Sequence, residues 1–151
     1  MSKSLEALVE KLRVQEAVTR LFVSTDRRDW AAVKQCFAAS VLFDMTSMAG
    51  GQPATMTPDQ IAAAWETGLR PIEHLHHQVG NYLIDVDGQD ATAACYGIAL
   101  HHKATASGRN TRAFVGSYDF SLRQGPDGEW IIRSFRFNLK FLEGNLELEK
   151  G

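Results

Sequence analysis

The spacing of apolar residues changes once along this chain, near Pro71, and this change limits the folds that the sequence can adopt. Before Pro71, apolar residues recur every three or four positions, as they do on one face of an α-helix. After Pro71 they alternate with polar residues, which is the period of a half-buried β-strand. Helices followed by a run of strands are typical of the α+β class, in which the helices pack on one face of a mostly antiparallel sheet.

Three helices are predicted in the first half of the chain. The first carries a long apolar stripe, and the other two follow residues whose side chains can cap a helix, Asp29 and Thr57. Pro58 and Gln60 complete the pattern of a capping box after Thr57. The predicted helices cover residues 5–25, 30–37 and 58–68.

Five strands are predicted. A short one, Val41–Thr46, follows the second helix and leads into a Gly/Pro-rich loop over 47–56. The other four form a meander, because the Asp-Gly pairs at 87–88 and 127–128 favour tight hairpin turns and SGRN at 107–110 joins the middle strands. The four long strands are expected over 76–86, 91–102, 111–123 and 130–141.

Composition favours one globular domain over residues 1–151, with the tail EGNLELEKG loosely held. The chain is 44% hydrophobic and 23% charged, and its net charge of −2 provides no basic field for nucleic acid. Cys36 and Cys95 have no metal-ligand spacing, as expected for reduced thiols in a cytoplasmic protein. We recognise neither a signal peptide nor a membrane span.

Asp26 is the residue that fits its local pattern least. The apolar ridge of the first helix runs through Phe22 and continues onto Asp26, which directs this side chain toward the core. Asp26 also lies in the last helical turn, where the helix dipole disfavours a negative charge. Either the helix stops at Thr25 and Asp26 pairs in solvent with Arg27 or Arg28, or Asp26 is a buried carboxylate that needs a hydrogen-bond donor.

All five histidines lie in two segments that antiparallel pairing brings together, at 74–78 and 100–102. In the second segment, alternation groups His102 with large apolar residues, so His102 is predicted to point inward. The first segment leaves the choice between His76 and His77 open. The alternatives are solvated histidines on a polar face or a metal site, although neither His-x-x-x-His nor Cys-x-x-Cys spacing is present.

The motifs STDRRDW, HHQVGN, LHH, GSYDF and DGEWII resemble those of the SnoaL-like branch of the nuclear transport factor 2-like superfamily, and within it those of scytalone dehydratase-like proteins. The resemblance covers residues 5–140 and implies a cone-shaped α+β barrel with a deep pocket between the sheet and three N-terminal helices. It also implies catalytic roles for Asp26, His77 and His102, since the two family histidines are 25 positions apart, as these are.

The resemblance further implies which residues bind the substrate. Thr25 and Met45 stand where scytalone dehydratase has two tyrosines that polarise the substrate carbonyl, so Tyr96 or Tyr118 is the candidate to replace them. Asp119 stands where the family has an asparagine. The candidate substrate-binding residues are Thr25, Phe43, Met45, Trp65, Tyr96, Ser117, Tyr118 and Asp119.

The resemblance therefore implies a lyase without a cofactor or a metal, which dehydrates a small cyclic or polyketide-like β-hydroxy carbonyl compound. Asp26 would orient His77 as the general base, and His102 would protonate the leaving hydroxide. An isomerase or a cyclase could use the same residues. The alternative from another class is a non-catalytic protein, which binds a small hydrophobic or aromatic ligand or serves as a structural subunit of an oxygenase.

The strands carry more large apolar residues than one face of a sheet can bury. Those assigned to the second face are Tyr82, Ile84, Phe135, Phe137 and Leu139. Because outward apolar patches usually mark an interface, we expect a homodimer or a homotrimer. Neither a nucleic acid nor a membrane is expected as a partner.

Overall fold

A computed structural model describes residues 2–151, and its elements follow the change of period in the sequence. The α-helices are α1 (Lys3–Asp26), α2 (Trp30–Gln35), α3 (Thr46–Ala49) and α4 (Pro58–Leu69). The strands are β1 (Phe37–Asp44), β2 (Ala54–Met56), β3 (His74–Asp87), β4 (Asp90–His102), β5 (Thr111–Gln124) and β6 (Trp130–Gly144). A short 3₁₀ helix, Leu148–Lys150, follows β6.

The strands form one sheet in the order β2-β1-β6-β5-β4-β3. Strands β3 to β6 make the predicted antiparallel meander, whereas β1 is parallel to β6 and pairs with β2 on its other side. Over the described residues β2 and β3 remain the two edges, so the sheet is not closed, although the resemblance implies a cone-shaped barrel. The α+β class is confirmed.

The predicted capping residues do start helices. The Asp29 carboxylate accepts the Ala32 N–H at 3.1 Å, which begins α2. Thr57 and Gln60 form the full capping box at α4, with hydrogen bonds of 3.2 and 2.9 Å. None of the helices within residues 2–151 is long and apolar enough to cross a membrane.

The segment between α2 and α4 differs from its prediction. Strand β1 begins at Phe37, where the sequence predicts the end of a helix, and ends at Asp44 instead of Thr46. The predicted loop over 47–56 contains most of α3 and all of β2, so residues 2–151 form four α-helices where three are predicted.

Two interactions explain this difference. The Asp44 carboxylate accepts hydrogen bonds from the N–H and the hydroxyl of Thr46, at 3.0 and 2.6 Å, and this local turn ends β1 and begins α3. Strand β2 forms because Ala54–Met56 finds a partner in β1. Such a short strand has no periodic signal of its own, so only the pairing reveals it.

The core lies between α1 and the face of the sheet that we call the inner face. Side chains from both halves of the chain are fully buried there, including Val14, Val18, Leu21, Val41, Ile61 and Ile132. Aromatic rings fill the centre: Phe22 contacts Tyr118 and Phe120 with ring centroids 4.8 and 6.2 Å apart. The apolar stripe of α1 is therefore buried against rings from the middle of the sheet from Val14 to Phe22, whereas its first residues, Leu5, Leu8 and Leu12, are exposed.

The inner face of β4 is the opposite of the one predicted. Small residues and one histidine are buried on it: Ala91, Ala93, Cys95, Ala99 and His101. Tyr96, Ile98, Leu100 and His102 are exposed on the other, outer face. The Tyr118 ring on the neighbouring strand β5 leaves no room for large side chains on the inner face of β4. Even a Cβ added to Gly97 would overlap this ring.

The residues chosen for an outward patch are also wrong. Phe135 and Phe137 are buried, and Tyr82, Ile84 and Leu139 pack against the core. Large residues on β6 point inward where β4 supplies only small ones, so the strands share the core volume unequally. The exposed apolar residues of β4 and β6 are instead Tyr96, Ile98, Leu100, Phe141 and Leu142.

The tail after β6 is held in place, contrary to its prediction. Leu148 is fully buried against Ile72 and Leu75. The Glu149 carboxylate accepts a hydrogen bond from Arg112 Nη1 at 2.6 Å. The tail looks unstructured in the sequence because all of these partners are distant along the chain.

We predict that Leu148→Ala destabilises the protein while Leu146→Ala does not. Leu148 is 0% exposed and Leu146 is 54% exposed, so only the first substitution leaves a cavity. We expect Leu148→Ala to lower the free energy of unfolding by roughly 2 kcal/mol, the low end for a buried leucine, because its cluster is small. Urea denaturation measures both variants, and equal stabilities would show that the tail is not docked.

The prediction of a homodimer or homotrimer remains to be tested. Its basis is now the exposed apolar group on the outer face, which includes Ile98 and Phe141. Sedimentation velocity at micromolar concentration measures the mass in solution. A single monomeric species would contradict the prediction.

Candidate active site

Asp26 and His77 join the end of α1 to the beginning of β3. His77 Nδ1 donates to Asp26 Oδ1 at 2.6 Å, and the His77 backbone N–H donates to Oδ2 at 2.9 Å. Only 20% of the Asp26 side chain and 13% of the His77 side chain are exposed. The carboxylate is thus largely buried and paired with a histidine, and not with Arg27 or Arg28 in solvent.

Arg28 contributes to this geometry in another way. Its backbone has φ 55°, a left-handed conformation that ends α1 directly after Asp26. Its guanidinium donates to the carbonyl of Leu69, at 3.0 Å, and to that of Ile72. These bonds tie the end of α1 to the segment between α4 and β3, and this segment leads to His77.

The other ring nitrogen of His77 is open to a cavity. Nε2 has no hydrogen-bond partner among residues 2–151. Every fully buried side-chain nitrogen or oxygen in that range does have a partner, so Nε2 is not fully buried, and His77 lines the cavity. Since the carboxylate accepts the proton on Nδ1, Nε2 of the neutral imidazole carries the lone pair. The ring is held 5.4 Å from Phe22, centroid to centroid. His77 therefore presents a hydrogen-bond acceptor, or a base, to the cavity.

The cavity has a volume of about 260 Å³ and lies between the helices and the inner face. Most of its lining is apolar and includes Phe22, Met45, Met48, Trp65, Leu69 and Phe114. Its titratable lining residues are His77, His101, Arg112 and Tyr118. An apolar pocket with a few convergent polar groups is typical of a small-molecule site.

His101 lines this cavity, whereas His102 does not. The predicted inward orientation of His102 is wrong, because its side chain is exposed on the outer face with its ring 5.6 Å from that of His74. His101 is only 6% exposed, and its Nδ1 accepts a hydrogen bond from Arg112 Nε at 3.1 Å. Burial, and then the positive charge of Arg112, lower the pKa of His101 to about 4, so it is neutral near pH 7.

Of the two candidate tyrosines, Tyr118 lines the cavity and Tyr96 does not. Tyr96 is exposed on the outer face, where the Lys140 ammonium lies 3.8 Å from its ring centre. The Tyr118 hydroxyl makes no hydrogen bond within residues 2–151. Burial, and then Cys95 and Asp26, raise the pKa of Tyr118 well above its ordinary value. Tyr118 thus remains a protonated donor.

The other predicted substrate-binding residues are divided between the two faces. Thr25, Met45 and Trp65 line the cavity. Phe43 stacks on Phe135 in the core with centroids 5.1 Å apart. Ser117 and Asp119 face outward and accept hydrogen bonds from Asn138 at 3.2 and 2.8 Å. Because strand residues alternate, an inward Tyr118 requires both of its neighbours to point outward.

Sequence reasoning missed His101, Arg112 and Phe114 in the lining. A signal for the last two was present, because Arg112 and Phe114 alternate in register with Tyr118 on β5. The signal for His101 was the run of small residues that shares its face. Within residues 2–151, no three His, Cys, Asp or Glu side chains are close enough together to hold a metal ion.

Several solved structures share this fold. The Kfla4162 protein from Kribbella flavida has a TM-score of 0.88 at 20% identity, over 96% of this chain and 99% of its own. A putative scytalone dehydratase from Novosphingobium aromaticivorans has a TM-score of 0.78 at 17% identity, over 91% and 89%. The hexachlorocyclohexane dehydrochlorinase LinA-type3 from Novosphingobium barchaimii has a TM-score of 0.77 at 11% identity, over 96% of each chain. At these identities the likeness shows the fold alone.

A search among curated proteins finds no match to the sequence. The SnoaL-like domain family, however, matches residues 6–136. The match includes both Asp26 and His77, together with every other residue that lines the cavity except Phe137. The chain therefore belongs to the SnoaL-like domain family.

Proposed function

We propose that this chain is a cofactor-independent lyase that removes water from a small, largely apolar β-hydroxy carbonyl compound. The observation that carries the proposal is the 2.6 Å hydrogen bond from His77 Nδ1 to Asp26. It leaves Nε2 of His77 as a base that faces an apolar cavity of about 260 Å³. The cavity volume favours a small substrate.

In the proposed reaction, His77 Nε2 takes a proton from the carbon next to the carbonyl, and the C–H electron pair forms an enolate. Asp26 holds the ring in position and stabilises the imidazolium, as a carboxylate does for any oriented histidine base. Such a base contributes about 10²- to 10⁴-fold to the rate. The low polarity of the cavity strengthens this charge pairing.

The enolate oxygen needs a hydrogen-bond donor, and Tyr118 is suited to this role. Its hydroxyl is protonated at every working pH, because its pKa is raised, and it has no protein partner within residues 2–151 to compete for it. A fixed donor at the atom where charge develops stabilises the transition state without reorganisation. Tyr118 would thus replace the two tyrosines whose positions Thr25 and Met45 occupy.

The enolate then collapses to form the carbon–carbon double bond and expels hydroxide from the next carbon. The hydroxide leaves as water with the proton that His77 has taken, which returns His77 to its starting state. This assignment corrects the acid role given to His102, whose exposed side chain lies on the other face of the sheet.

The names of two structural neighbours support an elimination. One is described as a putative scytalone dehydratase and the other as a hexachlorocyclohexane dehydrochlorinase. Loss of water and loss of hydrogen chloride both begin with removal of a proton from carbon. A base held in an apolar pocket is what the two reactions would share with the site described here.

We predict that His77→Asn abolishes turnover and preserves the fold. The side-chain amide introduced by this substitution can still donate to Asp26, but it is not a base, so we expect kcat to fall about 10²- to 10⁴-fold. The measurement is the ultraviolet absorbance of the conjugated enone formed from a panel of cyclic β-hydroxy ketones. Melting temperature and ligand affinity should change little.

The matched control is His76→Asn, because His76 is exposed on the same strand and faces away from the cavity. This variant should keep full activity. Full activity in His77→Asn would contradict the proposed base. If wild-type protein binds the ketones but never releases an enone or an isomer, the non-catalytic alternative is the better description.

A further inference from the structure

We propose that Arg112 and Glu149 hold His101 as the neutral tautomer with its proton on Nε2, so that His101 is a permanent hydrogen-bond donor to an oxygen of the substrate. The catalytic meaning of this donor rests on the proposed function. The tautomer itself is a property of the free protein and can be measured without any substrate.

The chemistry of the bond between Arg112 and His101 determines the tautomer. A guanidinium has only donors, so at 3.1 Å from Arg112 Nε the Nδ1 atom of His101 must be the acceptor. An accepting Nδ1 carries no proton. A neutral imidazole has one proton, which must then be on Nε2, and an imidazolium could not accept this bond at all.

The charges around His101 also favour its neutral form. Arg112 faces it from β5, His77 from β3, Asp26 from α1 and Glu149 from the 3₁₀ helix. Burial, Arg112 and His77 lower the pKa of His101, while Glu149 and Asp26 oppose them more weakly. The arrangement therefore keeps the ring uncharged near neutral pH.

The Nε2 proton of His101 points to the cavity. Nε2 has no hydrogen-bond partner within residues 2–151, where every fully buried side-chain nitrogen has one, so Nε2 is not fully buried. His101 lines the cavity, which is therefore the space that this nitrogen faces. The Phe114 ring lies 5.1 Å from the imidazole, centroid to centroid, which limits its rotation. The donor is thus fixed in direction as well as in protonation.

Arg112 depends on Glu149 for its own position. Arg112 is buried, and its Nη1 donates to Glu149 Oε2 at 2.6 Å. A buried guanidinium without a partner is unfavourable, so loss of Glu149 would allow Arg112 to turn toward solvent and release His101. Leu148, fully buried, anchors the segment that carries Glu149. Arg112 and Glu149 are therefore positioning residues.

The result is a site in which two histidines have opposite functions. His77 presents a lone pair because its neighbour is a carboxylate, and His101 presents a proton because its neighbour is a guanidinium. Together with the Tyr118 hydroxyl, His101 gives the cavity a second donor. Two donors beside one base suit a substrate oxygen that becomes negative as the adjacent carbon loses its proton.

The first test is a long-range ¹H–¹⁵N NMR spectrum of protein with ¹⁵N-labelled histidine, with the His101 signals assigned by His101→Asn. We expect a protonated Nε2 and an unprotonated Nδ1 that do not change between about pH 8 and pH 5, since the pKa of His101 is about 4. A proton on Nδ1, or titration near the ordinary value of 6.5, would overturn the proposal.

The second test compares Glu149→Gln with Glu147→Gln, a control on the same segment whose carboxylate pairs, within residues 2–151, only with exposed Lys150. We expect Glu149→Gln to give a mixture of His101 tautomers and a lower kcat, and Glu147→Gln to change neither. An unchanged tautomer in Glu149→Gln would show that Glu149 does not position the ring.

These outcomes separate the two proposals. If the wild-type tautomer is as expected but no enone forms, the proposed lyase is wrong and the assignment of His101 stands. If turnover depends on His77 but His101 has its proton on Nδ1, only the assignment of His101 is wrong.

We also predict a specific loss of stability in acid. The folded protein holds His101 neutral down to a pKa of about 4, whereas the unfolded chain protonates it near 6.5. The stabilisation is therefore present above pH 6.5 and is lost as the pH falls toward 4. His101→Asn keeps an acceptor for Arg112 but does not titrate, so its free energy of unfolding should decline less over this range. Parallel declines in the two proteins would contradict the low pKa.

Discussion

The pairing of Asp26 with His77 links the helical half of the chain to the sheet. A largely buried carboxylate requires donors, and His77 supplies two of them, its ring and its backbone N–H. The position of α1 on the inner face is thus coupled to the first residues of β3. The same bonds fix the imidazole in the lining of the cavity, so the interaction that satisfies the buried carboxylate also positions the ring that we propose as the base.

The cavity exists because the strands of the sheet fill the core unequally. Strand β4 contributes mainly small inner residues, and the Tyr118 ring occupies the space above Gly97. At the end of β4 this pattern stops, and His101 extends into the lining beside Arg112. The polar groups are therefore concentrated in a pocket that is otherwise apolar, where each charge and hydrogen bond has a stronger effect than in water.

Neighbouring charges, and not the residue type, distinguish the two histidines of this pocket. His77 lies against a carboxylate and His101 against a guanidinium that Glu149 holds from the far end of the chain. Environments of this kind separate the proton affinities of similar groups and so divide base and donor roles between them. The docked tail therefore reaches the lining of the cavity through Glu149 and Arg112, besides packing Leu148 against Ile72 and Leu75.

Local signals in the sequence determined the amphipathic α1, the caps at Asp29 and Thr57, the hairpin turns and the unusual place of Asp26, because each depends on residues a few positions apart. Only the tertiary structure decided the inner face of β4, the choice of His101 over His102, and the docking of the tail. Alternation shows that two faces exist, but which one is buried depends on the volume that other strands leave free. Partners such as Arg112 and Glu149 are brought together only by packing, because 37 positions separate them along the chain.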